Sequence, residues 1–206
     1  MEPPHLEVGA VFRWPHDERP LRVLAYDGGV AMYDTWWPHI DGWGLADLGE
    51  VRKRRITYYV VPASTLAEKA TYLRAEPLTE AEQALHRPDL PFAAARSDAL
   101  SWPEEAPASI EASAKGPGPE ALEVPEVYLH PFGPRGGERA GVRVKAENGT
   151  AFTRDELVWR ASVIQAPLIR AGASVQGIGI YRSGLNRGVP AFYLWGSQSR
   201  LDDQIA

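Results

Sequence analysis

Residues 21–37, LRVLAYDGGVAMYDTWW, constrain the chain more than any other stretch. Two runs of apolar, β-branched and aromatic residues flank Asp27-Gly28-Gly29, and so short a connection with two glycines is a strong β-hairpin signal. Tight turns that match strand twist need positive φ, which glycine adopts without steric cost. Val23, Ala25 and Tyr33 set against Arg22, Tyr26 and Asp34 predict a sheet with one wetter face. The wider composition suits short strands and many turns: 19 Gly and 18 Pro in 206 residues. Seven Trp and eight Tyr need something to pack on or to bind.

Residues 6–14 (LEVGAVFRW) predict a first strand closed by Pro15, residues 36–49 an aromatic loop, and residues 51–61 (VRKRRITYYVV) a fourth strand. Four short strands with this punctuation resemble a small, SH3-like or open β-barrel, an architecture that hosts many unrelated functions. Two short helices follow, opened by the capping boxes Thr65-x-x-Glu68 and Thr79-x-x-Glu82, the second stopping near Arg87 before Pro88. Residues 103–126 are acidic and proline-rich and predict a linker. Beyond it come a strand at 127–129 and a hairpin around Asn148-Gly149. A third box, Thr153-x-x-Glu156, opens a helix carrying Leu157, Ala161, Ile164 and Leu168, with a kink or early end at Pro167 and Gly172 as its cap. The chain closes on a hairpin of 175–182 with 189–195, where Gly177 and Gly179 leave room for Tyr193 and Trp195. The expected fold is α+β: a small β-barrel-like domain with a helical extension (1–102), a linker (103–126), and a domain of hairpins around one helix (127–206).

Several chemistries are excluded. The chain has no cysteine, so it has no disulfide, thiolate metal site or Cys nucleophile. Gly177-Ile-Gly179 lacks the third glycine of a dinucleotide fingerprint, and no P-loop, nucleophile elbow or His-Glu-x-x-His is present. The three boxes account for Glu68, Glu82 and Glu156 as helix caps rather than acid–base groups. No run approaches the length of a membrane span, and MEPPHLEVGA has neither the basic nor the apolar region of an export signal, so a cytoplasmic location is expected.

Three constellations remain. Asp34, His39 and Asp41 place an imidazole between two carboxylates on a loop, the residue types of a general base and its orienter. Trp36, Trp37 and Trp43, interleaved with Pro and Gly, read either as core or as an aromatic docking surface. Residues 1–102 carry 11 Lys/Arg against 15 Asp/Glu, residues 103–126 carry 1 against 6, and residues 127–206 carry 10 against 6. In that last, basic segment Arg143 and Lys145 share a strand face, Arg135 and Arg139 lie in the preceding Gly-rich loop, and Arg182 and Arg187 flank the final hairpin tip. Converged, they would bind phosphates or acidic side chains. Arg52-Lys-Arg-Arg55 reads as a solvated strand end, or as a phosphate-contacting edge beside Tyr58 and Tyr59. The residues point first to a non-catalytic, inhibitor-like accessory protein that docks on a protein partner, with no cofactor or metal. A nucleic-acid-associated protein and an enzyme using the Asp/His loop are the alternatives. No membrane partner is expected, and oligomeric state is left open.

Overall fold

The computed structural model describes residues 6–27, 29–44, 48–98, 121–133, 137–169 and 177–199. It is an α+β protein whose short strands form antiparallel and mixed sheets. Two compact units divide the chain: residues 1–89 with 184–188 and 200–206, and residues 90–183 with 189–199. Residues 90–98 therefore belong with the second unit. Most of the expected linker, 103–120, lies outside the described residues; of its last part, 121–122 form one strand and 126 opens the next.

In the first unit β1 (Ala10–Arg13), β2 (Pro20–Tyr26), β3 (Val30–Trp37) and β4 (Gly42–Trp43) precede α1 (Leu48–Val51), β5 (Arg55–Thr57), β6 (Tyr59–Pro62), α2 (Ala63–Lys69), β7 (Thr71–Ala75) and α3 (Glu80–His86). The sheet order is β4-β3-β2-β1-β7, with β6 also on β3, all antiparallel. The hairpin is the one the sequence announces, in register from Leu21↔Thr35 to Tyr26↔Ala31. Asp27 Oδ1 closes its turn by accepting from the N–H groups of Gly29 and Val30 (3.1 and 2.9 Å). A bulge between Val23 and Ala25 interrupts the ladder, which is why the apolar alternation of β2 is imperfect. The Leu24 carbonyl at that bulge is bonded by Nε2 of the fully buried His86 (2.9 Å). Leu6, Ala10, Phe12, Leu21, Val23 and Ala31 form a core with Ala63 and Leu66 of α2.

The single strand expected over 51–61 is split in two. Tyr58 turns inward against His86 (Oη to Nδ1, 2.9 Å), β6 joins β3, and β5 joins residues 184–186 of the last hairpin. Gly184 is required there: its φ is +140°, and a β-carbon would fall 2.0 Å from the Ile56 carbonyl oxygen. The Thr79 box forms in full. The Thr65 box does not, because α2 starts at Ala63, whose N–H already donates to the Gly29 carbonyl (2.9 Å).

In the second unit the elements are β8 (Ala93–Ser97), β9 (Ala121–Leu122), β10 (Glu126–His130), β11 (Val142–Lys145), β12 (Phe152–Thr153), α4 (Arg154–Ile169), β13 (Ile178–Asn186, its last residues in the first unit) and β14 (Val189–Trp195). The sheet runs β11-β10-β14-β13-β8, with β10 parallel to β14. Asn148-Gly149 makes its turn, Asn148 Oδ1 accepting from Thr150 and Ala151. The strand that follows pairs with β9 instead of returning along β11. Leu157, Val158 and Ala161 of α4 pack with Val127, Leu129, Ile178, Ile180 and Phe192. The helix passes through Pro167 to Ile169. Pro167 has no N–H to offer the Val163 carbonyl, and Val163 lies on an exposed turn of the helix. Gly172 lies outside the described residues. Tyr181, not Tyr193 or Trp195, covers Gly179, and Tyr193 stacks on Tyr181 (5.4 Å). No helix among the described residues is long and apolar enough to cross a membrane.

Candidate functional site

The first unit carries a continuous row of aromatic rings at its surface. β3 and β6 pair Tyr33 directly with Tyr59, and their rings stack at 5.5 Å and 20°. The Trp14 indole N–H donates to the Tyr33 hydroxyl, and the exposed His16 stacks on Trp14 at 6.2 Å. Tyr59 is 53% exposed, while Tyr33 and Trp14 are half-buried against the core. Burial pushes the Tyr33 phenol above its ordinary value, opposed by the Trp14 hydrogen bond. Arg19 and Asp17 border the row as a closed pair (2.7 Å). The arginine hydrogen bonds hold the Asp17 carboxyl down at about 2. His16, Trp14, Tyr33 and Tyr59 were not singled out together by sequence. Tyr33 and Tyr59 meet only because β6 returns to β3.

The Trp-rich loop divides by depth. Trp43 is 3% exposed, donates its indole N–H to Glu76 Oε1, and meets Trp36 edge-on at 5.2 Å. It is a core residue, the first of the two readings its sequence allows, and not an exposed anchor. Trp37 is 38% exposed and meets the exposed His39 edge-on at 5.2 Å. The Arg22 guanidinium lies 4.9 Å over the Trp43 ring and donates to both carboxylate oxygens of Glu82, with both side chains almost fully buried. Burial alone would raise the Glu82 carboxyl; Arg22 and the Thr79 N–H outweigh it and hold it below its ordinary value.

Asp34 is 4% exposed, opposite Arg22 in the β2–β3 register, and accepts from the Thr35 N–H (2.8 Å). His39 and Asp41 are exposed, Asp41 with φ +46° at the turn. The three groups thus differ in depth: one carboxylate belongs to the buried sheet face, and the imidazole belongs to the surface. Among the described residues no three of His, Asp and Glu gather as a metal would need.

The candidate cations stand in different local settings. Arg182 is 1% exposed, with its guanidinium on the Leu90 carbonyl (3.1 Å); it is a core side chain, a correction of its placement at the hairpin surface. Arg187 is exposed at the hairpin tip, with φ +54°, and belongs to the first unit. Arg143 and Lys145 are exposed as expected, but Arg143 is bidentate to Glu126 (2.9 and 2.6 Å). Arg139 lies over Gly133, and Arg135 is outside the described residues. At the end of β10, the buried His130 packs its ring on Gly141, with Nδ1 3.2 Å from Glu138 Oε1. Comparison of the chain with protein-family models, curated proteins and solved structures gives no match.

Proposed function

We propose that this chain is a non-catalytic binding protein that docks on a protein partner through the aromatic surface of its first unit. The observation that carries this reading is the row His16–Trp14–Tyr33–Tyr59, four linked rings ending in a tyrosine 53% exposed. Exposed Trp37 with His39 adds a second aromatic element of the same unit. Rings in preset positions lose little entropy on binding, which is why Tyr and Trp concentrate in protein interfaces. The sheet that presents them is a small, SH3-like open barrel in this reading, acting in the cytoplasm. The nucleic-acid alternative draws less support, since Arg182 is buried, Arg143 is held by Glu126 and Arg19 by Asp17. The enzyme alternative draws less because Asp34 is buried while His39 is exposed.

A photo-crosslinking residue at position 59, expressed in the native host, tests the proposal. The expected result is one recurrent crosslinked protein, lost when Trp14 and Trp37 are changed to Ser in a variant that keeps its fold. Undiminished crosslinking in that variant would sink the proposal. So would a His39→Ala variant that abolishes a measurable turnover while the fold stays intact.

A further inference from the structure

The outer edge of β11 in the second unit has a backbone parity and a charge pattern that select one kind of occupant. β10 pairs with β11 from Glu126↔Lys145 to Leu129↔Val142, and the Ala146 N–H donates to the Pro125 carbonyl (2.9 Å). In an antiparallel ladder alternate residues turn their N–H and C=O to the partner. Residues 142, 144 and 146 therefore bond β10, and the backbone groups of Arg143 and Lys145 point away from it. The next residue of that parity, Glu147, shows the same direction: its N–H is taken by the Glu156 carboxylate (2.9 Å). Among the described residues no strand pairs with this outer edge.

The side chains add the selection. Arg143 and Lys145 stand exposed on one face, and Lys145 makes no ion pair among the described residues. Glu126, bidentate to Arg143, also lies opposite Lys145 in the ladder and feels both charges, so the two cations share one carboxylate. On the other face Val142 is 45% exposed beside the buried Val144. A second β11 laid on this edge would set Arg and Lys against Arg and Lys, which is unfavourable across strands. We propose that the edge takes an extended segment of another protein, in which acidic and apolar residues alternate, as an added strand. Its carboxylates would stand opposite Arg143 and Lys145, its apolar side chains would cover Val142, and its backbone would pair with the groups of 143 and 145.

The test titrates the full chain with a Thr-Glu-Val-Glu-Val-Thr peptide and follows amide hydrogen exchange. Protection should rise at Arg143 and Lys145, and affinity should fall with salt. Lys145→Gln, which leaves the Arg143–Glu126 pair in place, should weaken binding about twofold to fivefold. Arg143→Glu with Lys145→Glu should transfer the preference to a Thr-Lys-Val-Lys-Val-Thr peptide, provided its spectrum remains that of the folded chain. Protection elsewhere, no protection at saturating peptide, or equal binding of both peptides would overturn the proposal. Protection that grows with protein concentration alone would overturn it in favour of a second copy. Trp14 and Trp37 changed to Ser should leave these results untouched, which separates this site from the aromatic one.

Discussion

In the first unit α3 is tied to the sheet by charge, Glu82 of the helix against Arg22 of β2 beneath the Trp43 ring. In the second, α4 is tied to the segment after β10 by a neutral amide. Gln165, fully buried, gives its Nε2–H to the Phe132 carbonyl (2.9 Å) and accepts the Phe132 N–H at Oε1 (3.1 Å). Both ties satisfy buried polar groups that would otherwise cost free energy. They differ in what happens when one member is lost, because an orphaned charge is far more costly to bury than an orphaned amide.

The largest effect expected from that contrast is Arg22→Ala, which leaves the buried Glu82 carboxylate without its counter-charge, held only by Thr79, and costs about 3–5 kcal/mol in urea unfolding. Arg22→Met combined with Glu82→Leu should recover most of that loss. A double variant as unstable as the single one would mean that Arg22 acts through Trp43 packing rather than through the pair. Gln165→Ala comes next, at about 2–4 kcal/mol, because both backbone groups of Phe132 lose their partners. A cost near zero would show that water reaches them.

Acidification separates the two ties further. The Glu82 carboxyl is held below its ordinary value of 4.5 in the folded protein. Its contribution is therefore complete above 4.5 and is lost as pH falls through the lower, folded value. Protection against hydrogen exchange at α3, relative to the intrinsic rate at each pH, should fall over that range while that of the last turns of α4, held by Gln165, persists. Glu82→Gln should remove the pH dependence at α3, and identical acid profiles for the two helices would break the comparison. The smallest effect belongs to the surface: Tyr59→Ala should change stability by less than about 0.5 kcal/mol, while the partner identified by crosslinking no longer co-purifies with the chain. A large drop in melting temperature would make Tyr59 a packing residue.

Legibility from sequence followed the range of the interactions involved. The 21–37 hairpin was readable because its turn chemistry and both strands are contiguous, and the Thr79 box was readable because its donor and acceptor lie three residues apart. The Thr65 box has the same spelling and is unused, since a carbonyl from the hairpin turn reached the helix start first. Asn148-Gly149 specified its turn but not the partner of the next strand, which came from 30 residues upstream in the Phe152↔Leu122 pair. Arg182 read as a surface cation because nothing local says that a carbonyl at Leu90 will receive it.

The chain's local chemistry by itself determined the α+β class, the absence of thiol chemistry and the principal turns, because each rests on residue type or on near neighbours. Tertiary structure decided which tryptophans are buried, which cations are answered, and that Tyr59 meets Tyr33. Depth and partnership depend on strands joined across long sequence separations, and a side chain's own neighbours in sequence carry no record of them.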